Sequence, residues 1–152
     1  MKILMVCMGN ICRSPLAEGI MRQKISKREL DWEIDSCGTD DYHAGEAPCE
    51  GSQKIAVKHG IDISGNVSRK LHSSDLQFYD LILVMDAGNY SEVMRLVRSE
   101  REAEKIKMIL DYSYPGEGRE VPDPFWSNSG FENVYSLLEE ACEKVIEAVQ
   151  ET

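Results

Sequence analysis

The sequence has 152 residues, 42% of them hydrophobic and 29% charged, which suits one compact domain over residues 1–152 with a core of its own. A net charge of −10 argues against a nucleic-acid surface, which needs a basic footprint, and no apolar run nears the roughly 18 residues that span a bilayer. Five cysteines are an odd number, which excludes a complete disulfide framework; with no secretory signal pattern the expected location is the cytoplasm.

Residues 2–7 form a nearly unbroken apolar run, the pattern of a parallel strand covered on both faces. Ser14-Pro15 reads as the N-cap and first position of a helix, whose apolar residues Leu16, Ala17, Ile20, Met21 and Ile25 would face a sheet. Residues 32–37 alternate as a second strand, and a helix over about 49–59 stops at Gly60. Residues 79–86 are a third strand, followed by a helix near 88–101 and a short strand over 106–110. Phe131, Val134, Tyr135, Leu138, Cys142, Val145 and Val149 mark one face of a long final helix. Strand and helix alternating in this way predict an α/β fold of three α/β/α layers on a four-stranded parallel sheet, joined by right-handed crossovers. Ligands in such sheets bind beyond the C-terminal strand ends, where Cys7, Ser36, Asp86 and Asp111 stand.

The loop Cys7-Met8-Gly9-Asn10-Ile11-Cys12-Arg13-Ser14 joins the first strand to the first helix. A Cys followed six positions later by an Arg is weak evidence alone, since chance supplies about 0.3 such pairs in a chain of this composition. The setting strengthens it. Gly9-Asn10 permits an unusual backbone path, and a strand-to-helix turn can point successive N–H groups into one anion-binding concavity. Those dipoles and a guanidinium would favour the thiolate of Cys7 as a nucleophile toward phosphorus. Arg13 offers a planar fork that matches two phosphoryl oxygens, and Ser14 can donate its hydroxyl to the sulfur. With this positive field in place no metal or other cofactor is expected, and no second Cys/His pair has zinc-site spacing. The loop lacks the Gly-Lys-Ser/Thr ending of a nucleotide-binding phosphate loop.

Hydrolysis of a phosphate ester also needs an acid for the leaving oxygen. Asp123 lies in Pro122-Asp123-Pro124-Phe125-Trp126, where two prolines stiffen the chain and Phe125 and Trp126 would wall the pocket. His59 reads as a helix-end residue beside Gly60, and His43 and His72 as solvent-exposed.

From Val6 to Pro15 the chain resembles the signature of the low-molecular-weight protein tyrosine phosphatases. The likeness continues through Ile34-Asp35-Ser36, His59-Gly60-Ile61-Asp62, Arg69, Met85-Asp86 with Asn89, Asp123-Pro124 and Phe131-Glu132. Larger tyrosine phosphatases carry the acid upstream of a His-Cys pair, whereas here Val6 precedes the cysteine and the acid lies far downstream. The resemblance implies Cys7 as nucleophile, Arg13 as phosphate clamp and Asp123 as general acid and then base. It implies that Met8, Gly9, Asn10, Ile11, Cys12, Arg13 and Ser14 embrace the phosphoryl group, with Tyr42, Phe125 and Trp126 at the pocket mouth. Asn10, Ser14, Ser36, Asn66 and Asp86 match a supporting polar network, Asn66 standing where many relatives have His and still able to bond Asn10. Cys12 matches a partner that can trap oxidised Cys7 as a disulfide. The implied partners are phosphotyrosine-containing proteins, with inorganic phosphate as product and inhibitor, and neither nucleic acid nor a membrane.

Three other readings compete. Arsenate reduction on the same fold needs relay cysteines near the end of the third strand, where this chain has none. Phosphoarginine hydrolysis belongs to a related branch that tends to carry Thr at the position of Ile11, whose branched apolar side chain favours a phenyl ring. A silent phosphate-binding module would not need nucleophile, clamp and acid together. Asp40 and Asp41 would disfavour highly acidic peptides.

Overall fold

Ile3, Leu4, Met5 and Val6 are all without solvent exposure, because the first strand is covered on both faces. The computed structural model describes residues 1–124 and 130–151. Its strands are β1 (Lys2–Cys7), β2 (Glu33–Gly38), β3 (Leu81–Val84) and β4 (Ile106–Met108). The helices are α1 (Arg13–Lys27), α2 (Glu50–Lys58), α3 (Asp75–Phe78), α4 (Ala87–Met94), α5 (Glu100–Glu104) and α6 (Gly130–Gln150).

The four strands are parallel in the order β2-β1-β3-β4, with Ile3 opposite both Ile34 and Leu81 and Ile82 opposite Ile106. The side-chain period of two divides β1 between two cores. Ile3, Met5 and Cys7 join Leu16, Ile20, Met21, Val134, Leu138 and Val145 of α1 and α6. Leu4 and Val6 join Leu71, Leu76, Tyr79 and Val93 on the opposite face. The chain leaves β1 for β2 on one side and returns to β3 on the other, so the C-terminal end of β1 is a topological switch point.

Several boundaries differ from the sequence reading. Cys12 caps α1 and Ser14 lies inside its first turn, because Arg13 is already helical and the hydroxyl is engaged elsewhere. Pro15 remains in that first turn, where a missing N–H forfeits no helical bond. The helix expected over 88–101 is two helices, since Ser99 accepts from Glu102 N at 3.2 Å and restarts the ladder as the N-cap of α5. The strand expected over 79–86 is limited to β3, preceded by the unanticipated α3. The strand expected over 106–110 gives way after Met108 to a 3-10 turn over Ile109–Asp111.

Candidate active site

The turn from β1 into α1 depends on Asn10, which has φ of 57°, a left-handed conformation that Asn tolerates better than most residues. Its amide is then buried behind the loop. Nδ2 donates to Ser14 Oγ at 2.8 Å and to Ser36 Oγ at 2.9 Å, while Oδ1 accepts from Arg69 N at 3.1 Å. Ser68 Oγ donates to Gly9 O at 2.9 Å and ties down the loop from outside.

Ser36 Oγ donates in turn to Glu18 Oε1 at 2.7 Å, and Glu18 Oε2 accepts from Arg22 at 2.6 Å. Ser14 Oγ lies 3.0 Å from Cys7 Sγ and 3.5 Å from the Cys37 carbonyl. Asn10 already donates to Ser14, so the single serine proton is left for the sulfur or that carbonyl, and the sulfur is nearer.

Arg13 is only 6% exposed, and its NH1 donates to Asp86 Oδ2 at 2.8 Å and to Val121 O at 3.0 Å. Asp86 is fixed as the N-cap of α4, where its Oδ1 accepts from Asn89 N at 2.7 Å and Asn89 Oδ1 accepts in return from Asp86 N. One carboxylate therefore starts a helix with one oxygen and aims Arg13 with the other. Val121 N donates to Met85 O at 2.8 Å, which brings the segment carrying Asp123 alongside the end of β3.

Cys7, Met8, Gly9, Ile11, Cys12, Arg13, His43 and Asp123 line one hollow of about 150 Å³. A second of about 420 Å³ shares Met8, Arg13 and Asp123 and is closed by Asp86, Asn89, Val121 and Pro122. The expected nucleophile, clamp and acid thus face one space. Among the described residues no group of three or more His, Cys, Asp or Glu side chains could hold a metal ion.

Other expected positions fall differently. Asn10 and Ser14 sit behind the loop as support, with neither side chain in the hollow. Asn66 does not join the Asn10 network: its N–H closes a turn on Ile63 O at 3.0 Å, and its Nδ2 has no hydrogen-bond partner among the described residues. The Arg69 backbone takes that position on Asn10. Tyr42 is 83% exposed and lines neither hollow, because the turn on Asp40 and Asp41 rotates it outward. Phe125 and Trp126 lie outside the described residues. Asp111 stands in the 3-10 turn after β4, away from both hollows.

Two residues at the site were not anticipated. His43 is half-buried instead of solvent-exposed; its Cδ2 would lie 3.0 Å from a Cβ at Gly9, and its Nδ1 is 3.0 Å from Glu46 Oε2. Glu18 was not singled out from the sequence, although it stands among core-facing residues of α1. His72 is exposed as expected, and His59, at the end of α2, stacks on Tyr135 at 3.7 Å.

Cys12 has a thiol neighbour besides Cys7. Cys49 caps α2, its N–H donates to Ile11 O at 2.7 Å, and Ser52 Oγ donates to Cys12 O at 2.9 Å. The Cys12 and Cys49 thiols are hydrogen-bonded to each other. That bond, with its contact to Ser52, lowers Cys49 to about 6 against the burial that would raise it. The same bond, together with burial, raises Cys12.

Residues 2–152 match the family model described as low molecular weight phosphotyrosine protein phosphatase. A Synechocystis sp. chain is 42% identical over 145 residues, 93% of this chain and 92% of its own length. The Bacillus subtilis low molecular weight protein-tyrosine-phosphatase YfkJ is 37% identical over 150 residues, 97% of this chain and 95% of its own length. The crystal structure of a protein tyrosine phosphatase from Entamoeba histolytica superposes with a TM-score of 0.91 at 37% identity, covering 99% of this chain and 97% of that one. An arginine phosphatase from Drosophila gives 0.90 at 30% identity, with 98% of both chains covered.

Proposed function

Since the chain belongs to the low molecular weight phosphotyrosine protein phosphatase family, we propose that it hydrolyses phosphotyrosine in proteins through a cysteinyl-phosphate on Cys7. The observation that carries this reading is the common hollow: Cys7 Sγ, 3.0 Å from Ser14 Oγ, shares it with Arg13 and Asp123.

In the first step the Cys7 sulfur attacks phosphorus as the bond to the phenolic oxygen breaks, and Asp123 protonates that oxygen. Both described hydrogen bonds of Arg13 use NH1, which leaves the edge formed by Nε and NH2 to hold two phosphoryl oxygens. In the second step Asp123, now a carboxylate, takes a proton from water as the water attacks phosphorus, and Cys7 leaves as a thiolate. Ser14 supports the sulfur in both steps. Loop N–H groups directed at the phosphoryl oxygens would meet charge that grows in the transition state, which is where such donors contribute most.

Ile11, at the rim of the hollow, supports a phenyl ring over the guanidinium of phosphoarginine. Inorganic phosphate, as product, competes for the same loop. Five thiols with no disulfide among them support the cytoplasm as the compartment, and residues 1–152 are read as one domain. In the described residues no helix is long and apolar enough to cross a membrane.

The decisive assay is hydrolysis of p-nitrophenyl phosphate in the presence of EDTA, followed by phosphotyrosine, phosphoserine and phosphoarginine peptides side by side. Wild type is expected to turn over the aryl phosphate and to prefer phosphotyrosine. Cys7→Ser, folded by circular dichroism, is expected to lose at least about 10³-fold in kcat. Full activity in that variant would overturn the mechanism, and faster release from phosphoarginine would overturn the substrate.

A further inference from the structure

Thiols at Cys7, Cys12 and Cys49 form a short series that runs from the site to the start of α2. Cys7 and Cys12 line the same hollow, and Cys12 is hydrogen-bonded to Cys49, which is more exposed than either. Cys49 also occupies the N-cap of the nine-residue α2, where its Sγ donates to Ser52 Oγ at 3.3 Å. Helix N-terminal N–H groups and a thiol donor together favour a sulfur that carries the electron pair. The two backbone links, Cys49 N to Ile11 O and Ser52 Oγ to Cys12 O, hold the start of α2 against the loop and keep the pair in register. Cys37 and Cys142 are fully buried, and burial raises both thiols, so neither competes.

We propose that Cys49 is a second resolving thiol, so that oxidation of the site ends as a Cys12–Cys49 disulfide with Cys7 returned free. The oxidant is a hydroperoxide. The Cys7 thiolate attacks the O–O bond, becomes a sulfenic acid and releases hydroxide. The Cys12 thiol attacks that sulfur, an S–S bond forms, and the sulfenic oxygen leaves as water with the thiol proton. The Cys49 thiolate then attacks Cys12 Sγ; the Cys12–Cys49 bond forms as the Cys7–Cys12 bond breaks, and Cys7 departs with the electron pair. The net change is two electrons from Cys12 and Cys49 to one peroxide. Direction comes from the leaving group and from reach: Ser14 Oγ, 3.0 Å from Cys7 Sγ, receives the departing sulfur, and Cys12 is the sulfur that Cys49 contacts. The inference uses the reading of Cys7 as nucleophile only to say what is restored; the exchange itself needs no substrate.

The test is disulfide mapping of the full chain. Protein free of reductant is treated with a few equivalents of hydrogen peroxide, quenched with N-ethylmaleimide at intervals, digested and analysed by mass spectrometry. A Cys7–Cys12 peptide should appear first and give way to Cys12–Cys49 with Cys7 alkylated. In Cys49→Ser the Cys7–Cys12 bond should persist, with alkylation of Cys7 lowered on the order of 10-fold. A lasting Cys7–Cys12 bond in wild type with Cys49 alkylated would overturn the proposal, as would Cys7 sulfinic acid beside free Cys12 and Cys49. The wild-type time course decides the matter even if the variant does not fold. A correct map in a protein inert toward phosphotyrosine would count against the phosphatase reading and leave this one standing.

Discussion

Asp123 shares the hollow with Cys7 and Arg13 and stands outside any helix or strand; the residues just before it are tied down by bonds from Val121 N to Met85 O, from Arg13 NH1 to Val121 O and from Ala87 N to Glu120 Oε2. A carboxyl that protonates a leaving oxygen matters in proportion to how poor that leaving group is. Asp123→Ala is therefore expected to slow phosphotyrosine by about 10²–10⁴-fold and an aryl phosphate with a more acidic phenol by much less. Equal losses in kcat on the two substrates would remove Asp123 from the acid role. At this scale the sequence singled out three residues that the fold brings to one hollow, because Cys7, Arg13 and Asp123 stand in diagnostic surroundings. It did not carry Glu18 or His43. Glu18 takes its meaning from Ser36, on another element, and His43 from its approach to Gly9. One signal for Glu18 was available: a carboxylate among Leu16, Ala17, Ile20 and Met21 must find partners when buried.

Elements meet at the loop with little clearance. Gly38 ends β2, and a Cβ placed there would lie 2.6 Å from Met8 O and 3.1 Å from Asn10 N, both backbone atoms of the turn from β1 into α1. Gly38→Ala is thus expected to move the loop more than it weakens the sheet. Its measurable outcome is a fall in kcat/KM of about 10-fold or more with a loss of about 1–3 kcal/mol in unfolding free energy. Normal kinetics in a destabilised protein would show that β2 yields instead. No sequence pattern disclosed this contact, since glycine at a strand end is ordinary. The break between α4 and α5 was legible in part, as Ser99-Glu100-Arg101-Glu102 has capping-box spacing inside an otherwise helical stretch. The long amphipathic face of α6 outweighed such local detail, so its extent was read closely.

Across the whole molecule, α1 carries the loop at one end and is anchored to α6 at the other. Lys24 Nζ donates to Glu139 at 2.5 Å and to Glu143 at 2.6 Å, and Arg28 also pairs with Glu143. The bond from Arg28 comes first and that from Lys24 second in holding the Glu143 carboxyl down at about 2, against an ordinary 4.5. A carboxyl depressed on folding stabilises the fold above its unfolded value and loses that contribution as pH falls toward its folded one. Thermal stability should therefore decline between pH of about 4.5 and about 2 more steeply in wild type than in Glu143→Gln. Parallel slopes in melting temperature would show that the pair is screened by solvent.

The strand order β2-β1-β3-β4 also has a consequence in time. The ribosome releases Cys7 first, but Asp86, Val121 and Asp123 come from the far half of the chain. At ordinary elongation rates the cysteine precedes the acid by about 6–23 s. Through that interval β1 lacks its β3 neighbour until residue 84 has emerged, and Arg13 has nothing to aim it. A nascent chain therefore carries the thiol without the chemistry, and the activity switches on only when the last third of the molecule has been made.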